Sequence, residues 1–211
     1  MPTGAPVAGP VLARPGAAAS IVRTFADPAV PVAVWRRTVD PVLAAALAAV
    51  ARDLPAVDCT LHRAAVGAGC LPEVVRALPG AEGLCADVEA LAACFADATV
   101  STRLRFVFGP VLDDKCKRFH VDFVRVRMVV TYLGPGTQWL EGEAAQRHGP
   151  RGAVAGSCGH GVPADEIRCA QAGDVVWMRG VYGGGAPAVH RSPPLGESGQ
   201  ARVVWTLSTA D

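Results

Sequence analysis

Three side chains have the types and spacing to grip one metal ion. His120 and Asp122 are separated by a single residue in Arg118-Phe119-His120-Val121-Asp122, and His190 lies in Ala188-Val189-His190-Arg191-Ser192-Pro193-Pro194. On an extended chain alternate side chains project the same way, so an imidazole at i and a carboxylate at i+2 share a face. A third ligand must come from a distant segment. His190 is the best candidate, because it closes an apolar dipeptide and precedes a turn-forming proline pair. Two neutral imidazoles and one carboxylate on one face of an octahedral ion leave the other face open to substrate and O2, a set that suits Fe(II) and also accepts Zn(II). HxD alone is a weak signal, since most such tripeptides are incidental. Arg202, twelve residues after His190, strengthens it: a guanidinium there can form two parallel hydrogen bonds to a carboxylate held deep in a barrel.

Other polar residues admit two readings each. Arg125 and Arg127 follow the HxD at alternate positions, and Arg191 flanks His190. Either they are solvated or paired with Asp113, Asp114 or Glu141, or they form an anionic subsite for a carboxylate or phosphate. Cys158, His160 and Cys169 are soft ligands whose spacing fits no familiar structural zinc site. His148 lies in a polar stretch and His62 beside apolar helical segments; both read as non-ligands. Trp139 either caps a pocket mouth or, as is commoner, fills a barrel rim. Gly183-Gly184-Gly185 offers a hinge or plain loop flexibility. Asp174 reads as a turn residue. No GxSxG nucleophile motif is present, and Ser192 is too near His190 in sequence to be oriented by it. Cys116 is the thiol to watch beside the HxD.

The elements that must position these residues divide the chain in two. Residues 1–30 are dense in Pro and Gly and read as a flexible arm. Asp40 can cap a helix over 40–54 with Pro41 at its first position. A shorter helix is expected over 71–78 and another over 84–96, where Leu84, Val88, Leu91 and Phe95 draw one apolar stripe. After Thr99, Val, Thr, Phe and Trp alternate in short runs, which predicts strands at 102–108, 119–121, 125–133, 175–179 and 202–208. The Gly-rich stretch 141–161 reads as a surface excursion. The expectation is a single α+β domain over 31–211, with a helical layer (31–98) backing a sheet sandwich or barrel (99–211).

Composition narrows the function classes. With 20 Lys plus Arg against 19 Asp plus Glu, no whole-chain field draws the protein to nucleic acid or acidic membranes. No run approaches the roughly 18 apolar residues needed to span a bilayer. Pro6, Pro10, Arg14 and Pro15 interrupt the leading segment before a signal-peptide core can form. Seven Cys without a CxxC pair suit reduced thiols, and a cytoplasmic location is expected.

The order His120-Val121-Asp122, His190-Arg191-Ser192-Pro193-Pro194 and then Arg202 resembles the 2-oxoglutarate and Fe(II)-dependent dioxygenase superfamily. That resemblance implies a double-stranded β-helix, a jelly-roll or cupin-like core backed by the N-terminal helices. It makes His120, Asp122 and His190 ligands of Fe(II), and Arg202 the holder of the distal carboxylate of 2-oxoglutarate. Tyr132, near the end of the strand after the HxD, becomes a second co-substrate contact, and Arg127 joins it on its anionic-subsite reading. The implied activity is hydroxylase-type oxidation of a small-molecule or anionic substrate. A closer resemblance is to the bacterial DUF1826 family, through FHVDFVRVRMVVTYLGPGTQWL, AGDVVWMRG and VHRSPP, but that family name supplies no reaction. Rival readings keep the triad for Zn(II) in a zinc-handling protein, or keep the arginines for an anion in a non-catalytic cupin-like module. A nucleic-acid demethylase needs a basic groove, against which the near-neutral charge argues.

Overall fold

Most helix formers precede most strand formers along the chain, but β-structure also enters the expected helical layer, where Val32–Trp35 and Val57–His62 supply the two edge strands of the large sheet. The computed structural model describes residues 15–113, 118–149, 161–194 and 201–211. The elements run α1 (Pro15–Ala26), β1 (Val32–Trp35), α2 (Pro41–Val50), β2 (Val57–His62), α3 (Glu73–Arg76), α4 (Ala81–Ala98), β3 (Arg103–Val111), β4 (Val126–Leu133), β5 (Gln138–Trp139), α5 (Gly142–His148), β6 (Arg168–Cys169), β7 (Val175–Arg179), β8 (His190–Arg191) and β9 (Arg202–Thr209). The Asp40 carboxylate accepts from the amides of Val42 and Leu43 at 2.8 and 3.1 Å and so starts α2. No helix among the described residues is long and apolar enough to cross a membrane.

The strands form a six-stranded sheet in the order β1-β7-β4-β9-β3-β2 and a three-stranded sheet β6-β5-β8, with every pairing antiparallel. Period-two alternation sorts the large sheet into two faces. Met128, Val130, Trp177, Trp205, Leu207 and Phe106 join Leu43, Leu47, Leu84, Leu91 and Phe95 of the helices in the main core. On the opposite face Val129, Val176 and Met178 meet Trp139 of the small sheet. The small sheet is covered in turn by Ala144 of α5, which packs with Phe119, Leu140 and Val189.

Three expectations need correction. The arm over 1–30 is not uniform: residues 15–26 form α1, whose Ile21 and Phe25 are buried in the main core. Pro15 at a helix start is harmless, so proline density misleads there. Residues 1–14 lie outside the described residues. The strand expected at 119–121 is only a bridge between His120 and His190. Within 141–161, residues 142–148 form α5.

A buried ion pair fastens the helices to the large sheet. The Arg37 guanidinium grips both carboxylate oxygens of Asp87, with Nη2 to Oδ2 at 3.0 Å. The Tyr132 hydroxyl donates to the same Oδ2 at 2.8 Å, and Arg37 Nε donates to the Gly173 carbonyl at 2.9 Å. Asp87→Ala would strand Arg37 as a buried unpaired charge and should cost about 3–5 kcal/mol of stability. Tyr132→Phe should cost about 1 kcal/mol. Denaturant unfolding of the two variants measures the gap, and equal small losses would contradict this account.

Candidate metal centre

His120 and His190 face each other across a reciprocal backbone bridge. Each amide donates to the other's carbonyl at 2.9 Å. In such an antiparallel pair both side chains leave the same side of the ribbon, and the two ring centroids lie 4.5 Å apart. Asp122, two residues beyond His120, completes the group. The candidate ligand atoms of the three residues all lie within 4.8 Å of one another.

Backbone carbonyls set the tautomer of both rings. His120 Nδ1 is 2.8 Å from the Arg118 carbonyl, and His190 Nδ1 is 3.0 Å from that of Ala188. A carbonyl only accepts, so each Nδ1 carries the proton and each Nε2 keeps a lone pair for an ion. Asp122 Oδ2 is 3.2 Å from His190 Nε2 and 2.9 Å from Arg127 Nη1, yet no donor is aligned on it as a hydrogen bond and it is buried. Burial alone would raise the Asp122 carboxyl pKa. When His190 is protonated in the metal-free site, its hydrogen bond and charge, then the charges of Arg127 and His120, outweigh burial and bring the carboxyl down to about 2. Burial, followed by the charge of His190, pushes His120 below its usual value. Neutral imidazole and ionised carboxylate are the forms that bind metal. A buried carboxylate oxygen that is ion-paired with Arg127 but accepts no aligned hydrogen bond, together with two imidazole Nε2 atoms beside it, fits a divalent cation.

A turn holds the Asp122 segment in place. Val181 N–H donates to the Asp122 carbonyl at 2.9 Å, Gly180 N–H to Arg125 at 2.9 Å, and Tyr182 N–H to Val124 at 3.1 Å. A Cβ on Gly180 would sit 2.0 Å from the Val124 carbonyl oxygen, so only glycine allows this approach. Two of the three glycines in the 183–185 run are packed in the same way, a Cβ on Gly183 meeting the Arg125 carbonyl at 2.5 Å and one on Gly185 that of Pro28 at 2.3 Å, while Gly184 between them has open space around it. Arg179 ties the turn to α1, donating to Gly183 O at 2.9 Å and Phe25 O at 2.7 Å.

A cavity of about 230 Å³ lies between the sheets, lined by His120, His190, Arg127, Arg202, Val204 and Met178 among others. Arg202 is 1% exposed. Its Nε donates to the Pro135 carbonyl at 2.6 Å and its Nη2 reaches Thr131 Oγ1 at 3.5 Å, while Nη1 is buried without a partner. Among the described residues no carboxylate pairs with it. Burial lowers its pKa to about 10, which still leaves it charged at neutral pH. A buried cation without a counter-ion is costly unless an anion arrives.

Not every candidate reaches the cavity. Tyr132 does not: it points to the helical side and binds Asp87, because it shares strand parity with Met128 and Val130. Burial, then the Asp87 charge, raises its pKa well above the usual phenol value. Arg127 lines the cavity but sits against Asp122 and donates from Nε to Ser208 Oγ at 2.9 Å; its partner is none of the acids expected. Arg125 is exposed. Trp139 fills the space between the sheets and donates to Glu141 at 2.9 Å. Asp174 is a buried acceptor for the backbone of Arg37 and Gln171. His148 faces Glu166 at 3.2 Å, and His62 caps a short turn through Ala64 N–H. Cys169 is exposed, and Cys116, Cys158 and His160 lie outside the described residues. Sequence reasoning missed Gly180 and the contact of Arg127 with Asp122; the Gly that ends the β7 run was the available signal for the first.

The family model described as "Protein of unknown function (DUF1826)" matches residues 16–208. No curated protein matches the sequence. Among solved structures, a Pseudomonas putida prolyl-4-hydroxylase is similar at 14% identity with a TM-score of 0.43, over 90% of this chain and 97% of that one. A full-length Neurospora crassa protein in complex with alpha-KG is similar at 18% identity with a TM-score of 0.29, over 65% of this chain and 41% of that one. Likenesses this distant leave the chemistry to rest on the site itself.

Alanine at His120, Asp122 or His190 should weaken divalent-metal binding by at least about tenfold, the lower end of what even outer-shell changes cost. His148→Ala and His160→Ala should retain the metal. Metal content of protein purified without a histidine tag reads the difference, and loss in the second pair but not in the triad variants would contradict the assignment.

Proposed function

Because the chain belongs to the DUF1826 family, whose name carries no reaction, we propose from its site that it is a non-haem Fe(II) and 2-oxoglutarate-dependent dioxygenase of hydroxylase type. The observation that carries this reading is Arg202, a buried guanidinium with an unmet Nη1 lining the same cavity as His120 and His190. Two facing antiparallel sheets, a large one and a small one, support a double-stranded β-helix as its scaffold.

His120, Asp122 and His190 would hold the ion. Bound there, Fe(II) would supply the chemistry that splits O2 between oxidative decarboxylation of 2-oxoglutarate to succinate and CO2 and hydroxylation of a substrate C–H bond. Arg202 would take the distal carboxylate, and its burial makes that charge-assisted contact strong and selective for a dicarboxylate. Thr131 and Pro135 hold the guanidinium in position. Val129, Met178 and Val204 line the same cavity with apolar surface and limit water around the reacting group. A zinc-handling protein would need the triad alone and would leave the charge of Arg202 unmet.

Anaerobic protein given Fe(II) and 2-oxoglutarate should develop the weak visible charge-transfer band of the chelated co-substrate. Arg202→Gln should weaken 2-oxoglutarate binding by roughly thirtyfold or more, the range for losing one partner of a buried charge pair. Tyr132→Phe should leave it unchanged. Purified protein that retains stoichiometric zinc and shows no band would sink the oxygenase reading.

A further inference from the structure

The Asp122 side chain is held by less than the two imidazoles are. Each ring is tied to a backbone carbonyl two residues back. The turn that grips the Asp122 segment acts on its backbone, and no donor is aligned on the buried carboxylate oxygen Oδ2. What stands closest to that oxygen is Arg127, with Nη1 at 2.9 Å, ahead of His190 Nε2 at 3.2 Å.

Arg127 is itself anchored. It lies on the central strand β4, with Ser208 of β9 opposite on one side and Met178 of β7 on the other. Its Nε donates to Oγ of the buried Ser208 at 2.9 Å, so the guanidinium reaches from the large sheet to the carboxylate. That task takes a fork, in which one nitrogen binds the sheet while another meets the acid; a lysine ammonium is a single point on a flexible stem. Two neighbouring arginines are engaged elsewhere. Arg202 binds Pro135 and Thr131, and Arg191 lies over the Phe119 ring with its Nε on Gln138. Of the three, Arg127 is the one in contact with the triad.

A carboxylate can give an ion one oxygen or both. On an octahedral ion that also holds two imidazoles, one oxygen leaves ~three positions open and both leave ~two. Chelation of a 2-oxo acid at two points followed by O2 needs the larger number. Turning both Asp122 oxygens toward one ion would draw Oδ2 away from Arg127 and leave a partly buried guanidinium unpaired, which is unfavourable.

We propose that Arg127 is a positioning residue: by gripping Asp122 from the sheet it restricts the carboxylate to a single oxygen on the ion and keeps the opposite face open for co-substrate and O2. The need for that open face rests on the oxygenase reading, whereas the restraint on Asp122 requires only that the triad binds a metal. The first readout uses Mn(II) without 2-oxoglutarate, with solvent-proton relaxation counting the waters on the ion. The unaltered protein should hold ~three and Arg127→Gln ~two. Ser208 lies outside the cavity lining and steadies the guanidinium, so Ser208→Ala should move the count the same way by less, and Arg127→Lys should recover only part. Mn(II) should bind Arg127→Gln more tightly than it binds Asp122→Ala, since all three ligands remain. Calorimetry on the Mn(II)-loaded proteins should show 2-oxoglutarate bound about tenfold more weakly by Arg127→Gln, as for other losses of a group that orients a ligand. An unchanged water count in Arg127→Gln overturns the proposal even if 2-oxoglutarate binding falls, because Arg127 would then act on the co-substrate directly. Loss of Mn(II) from Arg127→Gln as complete as from Asp122→Ala overturns it too. A count that falls while the unaltered protein binds no 2-oxoglutarate upholds the restraint, and the oxygenase reading falls. Failure of the unaltered protein to bind Mn(II) removes both.

Discussion

Everything at the site depends on two backbone hydrogen bonds, the reciprocal pair that joins His120 to His190. Seventy positions separate these residues in the chain, and no side-chain contact could bring them into register as reproducibly as a ladder that fixes both partners at once. The bridge also explains why so little regular strand is needed around the HxD. One paired residue with its carbonyl and amide satisfied is enough to aim an imidazole, because the ring's other nitrogen is tied to the carbonyl two residues back. The third member is held differently, by a turn that grips the Asp122 backbone from the far side.

The large sheet separates two kinds of buried charge. On the helical face Arg37, Asp87 and Tyr132 complete one another, and the result is a closed network whose value is structural. On the cavity face Arg202 is equally buried and, among the described residues, has no acid beside it. The same sheet thus neutralises charge where the fold must be firm and withholds neutralisation where a ligand is to be bound. Electrostatic incompleteness marks the functional face more sharply than cavity shape does.

Much of this was legible in the chain. The proline-started helix after Asp40, the stripe of Leu84, Val88, Leu91 and Phe95, and the strands at Val126–Leu133, Val175–Arg179 and Arg202–Thr209 follow from caps and periodicity. Strand periodicity also pairs His120 with Asp122, and His190, picked out by its flanking residues and by resemblance, lies beside them. The cavity role expected of Tyr132 fails although a signal existed: it lies five positions from Arg127, and an odd separation on one strand puts two residues on opposite faces. The four-residue β1 and the edge strand β2 were hidden for another reason. β2 alternates half-buried with exposed residues and carries Asp58 and His62, so its strand character comes from pairing with β3 rather than from composition. The α1 segment was masked by the prolines that precede it.

Arg179 gives the molecule a mechanical connection that its topology diagram does not suggest. One guanidinium clips the end of α1 to the turn that grips the Asp122 backbone, so the first helix and the metal-facing loop share an anchor. Trimming or fusing at the N-terminus is ordinarily treated as remote from catalysis. Here an alteration that frays the last turn of α1 pulls on the scaffold beneath Asp122, and the choice of where to start a recombinant chain becomes a choice about the geometry of the candidate site.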